Sequence, residues 1–153
     1  MIVATLILIL SVALFFFYFQ VTCQNILHRP FDREFYRSIA NAHRLEFPTL
    51  RRSLEEAGAK VDYSRLRRAL ECDFLALTYL LKNAANVKQR YSYEERLLIL
   101  YFYLASLSLA VRRSLRLGET PVILRLTSIL QYFANVVGQR VDALKLGDLT
   151  AAG

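Results

Sequence analysis

Cysteine, proline and glycine are all scarce in this sequence, and its first 22 positions carry no charged side chain. Two cysteines among 153 residues cannot make a disulfide scaffold. Three prolines and five glycines exclude a collagen-like or low-complexity chain. An apolar fraction of 55% is too high for intrinsic disorder, and the length suits one ordinary domain. Strand signals are missing too: no period-2 alternation, and no Asn-Gly or Asp-Gly turn between apolar runs.

The motifs of familiar chemistries are likewise absent. Neither G-x-x-x-x-G-K nor G-x-G-x-x-G occurs, so no phosphate-cradling loop is predicted. There is no C-x-x-C, H-E-x-x-H or E-x-x-H, which leaves no metal site. With only His28 and His43, no Ser–His or Cys–His grouping can be named. Haem ligation by either is outweighed by a polar interface histidine and a surface histidine. Glu55–Glu56 and Glu94–Glu95 are adjacent carboxylates, but neighbours on a helix point about 100° apart and do not form an acid–base pair. The expectation is a non-enzymatic chain without cofactor, metal or small-molecule substrate.

What is present is unevenly distributed. Eighteen of residues 1–22 are apolar, and all 20 basic and 13 acidic residues follow them. Ile2 to Phe19 would span roughly 27 Å as a helix, and extension through Val21 about 30 Å, the thickness of a bilayer core. Phe15, Phe16, Phe17, Tyr18 and Phe19 cluster at one end, where aromatic rings favour the membrane–water boundary. Residues 1–22 are therefore read as a transmembrane signal anchor. A cleaved signal is the rival, disfavoured by the missing basic n-region, the long run and the lack of a small-residue cleavage site before Cys23. Arg29, Arg33 and Arg37 follow the run, so the positive side, and everything after it, is expected in the cytoplasm with the N-terminus outside. There Cys23 and Cys72 stay reduced, as a boundary residue and a small packed one.

Beyond a connector at 23–29, residues 30–146 read as a cytoplasmic bundle of four to five helices, followed by a short tail at 147–153. The fold class is all-α. Pro30 suits a first helical turn, with Phe31, Phe35, Ile39 and Ala42 at helical spacing. Pro48 restarts the chain as a short helix ending near Gly58. Asp62 or Ser64 caps the next helix, whose stripe is Leu66, Leu70, Phe74, Leu77, Leu81 and Ala84. Ser92 and Glu95 have capping-box spacing. After them, Leu97 to Val111 is free of charge and about 22 Å long as a helix, short of the bilayer core. It is predicted to be the central, mostly buried helix, with a re-entrant or membrane-lying segment as the alternative, and Gly118 ends it. Thr120 and Pro121 open a last helix with Val122, Leu126, Ile129, Phe133, Val136 and Val137 on one face. Arg125, Ser128, Gln131, Asn135 and Asp142 mark the opposite face. Gly138 signals a close helix contact or a kink, and Gly147 closes the element.

The net charge is +7, and 16 of the 20 basic residues are arginine. Three groups stand out: Arg51 and Arg52; Arg65, Arg67 and Arg68; and Arg112, Arg113 and Arg116. Arginine favours bidentate and stacked contacts. A solvated face is the plain reading, anionic headgroups come next, and nucleic acid trails because no binding motif accompanies the charge. Tyr91, Tyr93, Tyr101, Tyr103 and Tyr132 suit core packing, or an interface where the ring is buried and the hydroxyl is not. The functional expectation is a single-pass accessory or assembly subunit, or an adaptor, of a larger membrane complex, touching other protein subunits. Its polar contact surface is expected at Arg65, Arg67, Arg68, Arg112, Arg113 and Arg116. The alternative is a membrane-tethered module that binds anionic lipid or, less readily, nucleic acid through those clusters.

Overall fold

The computed structural model describes residues 1–30, 35–57, 62–83 and 91–153. Among them every regular element is an α-helix: α1 (Ile2–Leu27), α2 (Tyr36–His43), α3 (Phe47–Ala57), α4 (Tyr63–Asn83), α5 (Tyr93–Ser114) and α6 (Thr120–Ala151). The all-α class read from the sequence is the observed one. Two units divide the chain, Met1–Pro30 and Phe31–Gly153.

The first unit is α1. Its 26 residues make a rod of about 39 Å, and by length and composition it can cross a membrane. The Thr5 and Thr22 hydroxyls donate to the carbonyls of Met1 and Tyr18 one turn back, so neither needs water. The helix runs past residue 22 to Leu27, so most of the expected connector is its last turns. Nothing in Cys23–Leu27 breaks a helix, and proline arrives only at Pro30.

The second unit is organised by α6, which packs against α2, α3, α4 and α5, while α3 also packs on α4. Leu126, Ile129, Leu130, Phe133, Ala134 and Val137 are buried almost completely, on more than one side of the helix. The α4 stripe is buried as predicted at Leu66, Leu70, Phe74, Leu77 and Leu81; Ala84 lies outside the described residues. Phe74 stacks on Phe102 of α5 at 3.9 Å between centroids and lies 6.0 Å from Phe133 of α6, joining three helices through one aromatic cluster.

Leu97–Val111 is not the central helix. α5 buries Leu98, Phe102, Ala105 and Leu109 but exposes Leu100, Tyr103, Leu107 and Val111. The centre belongs to α6, part of whose polar face is also covered, although Arg125 is exposed. Asn135 is buried, and the Gln131 and Ser128 side-chain oxygens accept from Arg51 of α3 at 2.9 and 3.5 Å.

Helix ends follow two kinds of rule. Locally, Ser92 and Glu95 form the capping box, and Asp62 Oδ1 accepts from the Ser64 N–H ahead of α4. Pro48 lies in the first turn of α3, as expected. The start of α2 is set from afar. Pro30 is outside any helix, and Asn135 Oδ1 on α6 accepts from the backbone N–H groups of Phe35 and Tyr36 at 3.0 and 2.9 Å. The expected helix start at Pro30 is therefore not observed, because α2 begins at Tyr36; Phe31 and the expected end at Gly58 lie outside the described residues. α5 ends at Ser114, before Gly118. Arg116 takes the left-handed conformation at φ 54°, with Leu117 N–H bonding the Arg112 carbonyl and Arg116 N–H that of Arg113. α6 continues through Gly147 to Ala151, because a glycine with good helix formers on both sides weakens a helix without ending it.

Gly138 marks the close contact its position suggested. One turn beyond Asn135, it faces the residues that start α2. A Cβ there would overlap Phe35 Cβ and come within 2.9 Å of Phe35 Cγ, whereas one on Gly147 would meet nothing within 4 Å. Gly138→Ala is expected to destabilise the second unit by about 1–3 kcal/mol despite better helix propensity. Gly147→Ala should stabilise it by up to about 1 kcal/mol. Denaturation of the full chain in mild detergent, followed by circular dichroism, checks both signs.

Candidate interaction surface

Three side-chain contacts link α4 with α5 and the residues just before it, and their order shows that the two helices run antiparallel. At one end the Arg113 guanidinium lies over the Tyr63 ring, 4.0 Å from its centroid. Phe74 and Phe102 stack midway. At the other end the Tyr91 hydroxyl donates to the Thr78 carbonyl at 3.1 Å, and burial pushes that phenol's pKa up.

The start of α4 therefore stands beside the end of α5. Arg113, from the Arg112, Arg113 and Arg116 group, is thereby brought beside the first turns of α4, which carry Arg65, Arg67 and Arg68 more than 40 positions earlier in sequence; Arg65 and Arg113 both act on Asp62, while Arg65 and Arg68 face the α2–α3 turn. Arg67 pairs with Glu71 at 2.7 Å, an exposed pair of small energetic worth. Arg112 donates to the Gly118 carbonyl at 3.1 Å. Asp62 stands close by, its carboxyl held below the ordinary range by the Ser64 hydroxyl and N–H, then by Arg113 and Arg65. The third predicted group is used differently. Arg51 reaches Gln131 and pairs with Glu55, and Arg52 pairs with Glu56, so both serve α3.

Both non-glycine residues with positive φ among those described are arginines, Arg44 at 53° and Arg116 at 54°. An L-residue there costs about 1 kcal/mol against glycine. At Arg116 that cost keeps a guanidinium on the basic end.

A cleft of about 510 Å³ opens between the α2–α3 turn and α4. Arg44, Arg65 and Arg68 line it, but so do Glu46, Asp62 and Asp73, so it presents no single sign of charge. Asp73 has a structural task in its wall. Its Oδ2 accepts from the N–H groups of Glu46 and Phe47 at 2.8 and 2.7 Å, capping α3 from α4. Burial raises its pKa above the usual 3.8, offset in part by those two bonds.

The remaining candidates disperse. His43 closes α2 and lines the cleft, whereas the His28 ring bonds the Gln24 carbonyl at 2.6 Å in the first unit. Among the described residues no three His, Cys, Asp or Glu side chains gather as a metal site would need. Phe15, Phe16, Phe17 and Tyr18 are exposed on α1, and Phe19 is buried. Tyr101 and Tyr132 are buried, while Tyr93 and Tyr103 face outward. Glu95 is a buried structural acid, in the capping box and ion-paired with Arg140. Sequence reasoning missed Arg140 and Asp73, whose partners are distant in the chain. It also missed the outward apolar row Leu100, Tyr103, Leu107 and Val111, whose four-residue rhythm was the available signal. No family model, curated protein or solved structure matches this chain.

Arg116→Gly is expected to raise stability by about 1 kcal/mol, because glycine takes the left-handed conformation without strain. A rise in the denaturation midpoint checks it. Asp73 provides a pH test. Its raised folded-state pKa means that its contribution to stability is complete below about pH 4 and lost as pH rises through the folded value. Asp73→Asn keeps an acceptor without that loss, so the variant should gain on the parent as pH climbs, read from denaturation midpoints across pH 3–7.

Proposed function

We propose that this chain is a single-pass membrane protein whose second unit lies on the cytoplasmic side and works by contact. In this reading it is an accessory or assembly subunit, or an adaptor, of a larger membrane complex. The observation that supports it is the Arg113–Tyr63 contact, which puts the arginine-bearing end of α5 beside the arginine-bearing start of α4, in a chain whose first helix is long and apolar enough to span a bilayer. Arginine presents a planar fork to carboxylates and phosphates and stacks on aromatic rings, which suits a polar contact surface better than scattered lysine does. Orientation follows from the arginines after α1, since positive segments are retained on the cytoplasmic face.

Two measurements test the reading. Cys72 is exposed and Cys23 buried, so a Cys23→Ser chain carries one reporter thiol in the second unit. A membrane-impermeant maleimide should label Cys72 in inside-out vesicles and leave right-side-out vesicles unlabelled; the reverse pattern inverts the topology. Gentle extraction from native membranes followed by mass spectrometry should recover a stable set of co-purifying chains. Arg112→Glu with Arg116→Glu should reduce that recovery at least about tenfold, the effect of losing charge-assisted contacts. A chain that emerges alone and monomeric across mild detergents removes the accessory-subunit reading.

A further inference from the structure

We propose that the outward apolar face of α5, extended by its neighbour α4, rests on the anionic lipid leaflet at which α1 anchors the chain. The inference depends on the reading of α1 as a membrane anchor and names what the unit's bare face meets.

The outer row of α5 is apolar. Leu100, Tyr103, Leu107 and Val111 recur at spacings of three and four, and each is 50–62% exposed. Leu75 and Tyr79 on the antiparallel α4 are more exposed still, at 63% and 68%. Such a patch on a soluble surface marks a contact. α5 also has the length and composition of a membrane-spanning helix, yet only 28% of its apolar window is buried, where the core helix of a soluble protein would be mostly buried.

Geometry then selects a helix in the plane of the leaflet over one that crosses it. The charge-free run from Leu97 to Val111 is about 22 Å, too short for the bilayer core. The opposite side of α5, with Leu98, Phe102 and Leu109, is locked in the protein core. A helix with one face in the core and one bare apolar face can sink only its outer side into the headgroup–acyl boundary. Tyr79 and Tyr103 fit that boundary, with ring and hydroxyl on its two sides.

Charge identifies the leaflet as anionic. Residues 96–118 contain four arginines and no acid, and Arg65, Arg67 and Arg68 adjoin them at the basic end. Basic residues beside an apolar helix face are drawn to anionic headgroups. A second copy docked on the same stretch would bring no carboxylate to those arginines. α1 supplies proximity, because the nine residue steps from Leu27 to Tyr36 amount to about 30 Å of chain at full extension.

The sequence contains no tryptophan, so Leu107→Trp in the full chain is a single fluorescent reporter on this face. Leu149→Trp, exposed near the end of α6, is the reference. Each is placed one chain per nanodisc, in phosphatidylcholine alone or mixed with phosphatidylserine, with bromine-labelled acyl chains as quencher. In the mixed discs the Leu107→Trp emission should be blue-shifted and quenched at least about twice as strongly as that of Leu149→Trp. Arg112→Gln, Arg113→Gln and Arg116→Gln together, or a rise from 50 to 200 mM salt, should reduce that quenching. Equal quenching of both reporters, or quenching indifferent to phosphatidylserine and to the arginines, overturns the proposal. So does shielding that arises only when a disc holds two copies, which assigns the face to self-association. Alkaline extraction of the same discs separates the two readings. Release of the chain sinks the anchor and this inference together; a retained chain with an unquenched Leu107→Trp sinks this inference alone.

Discussion

Backbone N–H groups at the start of a helix must find acceptors, and in this molecule two helices find them on neighbours. α2 has no side-chain cap of its own; its first N–H groups are taken by Asn135 of α6. α3 is held in the same way by Asp73 of α4. The logic extends to the junction of α4 and α5, where Arg140 of α6 donates to the Leu81 carbonyl and pairs with Glu95. That places a cation at the end of one helix and an anion in the first turn of the next, the arrangement both macrodipoles favour. Each bond is made in a part-buried or buried setting, where a donor or acceptor left alone costs about 1–3 kcal/mol. The positions of α2 to α5 are thus tied to polar atoms, and apolar packing fills in around them.

This arrangement determines which surface is left bare. A helix ringed by four neighbours has its polar side chains consumed inside, as Gln131, Asn135 and Arg140 are. α5 then stands at the periphery with one row of side chains in the core and another outside. An outer row on a soluble domain is ordinarily polar; here it is Leu100, Tyr103, Leu107 and Val111. The bare face of α5 and the partly covered polar face of α6 are two aspects of one packing choice.

The sequence was most legible where the signal is local. The Ser92–Glu95 box, the α4 stripe and Pro48 in the opening turn of α3 all rest on neighbours within a few positions. It was least legible where a side chain's task lies across the fold. Asn135 looked like part of a solvent face because amide side chains usually are, and its role as a cap depends on a helix about 100 positions earlier. The centre was assigned to α5 because composition reports how apolar a helix is, not which medium its apolar atoms meet. The arginine groups could be named from their clustering, but their convergence follows only once α4 and α5 are known to run in opposite directions. Gly138 lies between these cases. Its presence in a helix announced a tight contact, and only the structure shows that Phe35 makes it.

The choice of arginine at the convergent end has a physical consequence of its own. The Arg113 guanidinium offers its flat face to Tyr63, an interaction that holds the group in place without consuming hydrogen bonds. Carboxylates and phosphates bind the edge of the same plane, through its fork of N–H donors. Stacking and anion recognition therefore do not compete, whereas a lysine ammonium, with one point charge, would divide itself between them. A stacked arginine is ordered by the fold itself. The entropy of immobilising a long side chain is partly lost on folding and not on contact. The strain at Arg116 acts in the same direction, since a left-handed residue that terminates α5 has its backbone fixed by the two bonds closing that helix. A stacked cation thus stands at one end of a bare apolar face, and the interior order that holds the two together begins with α6.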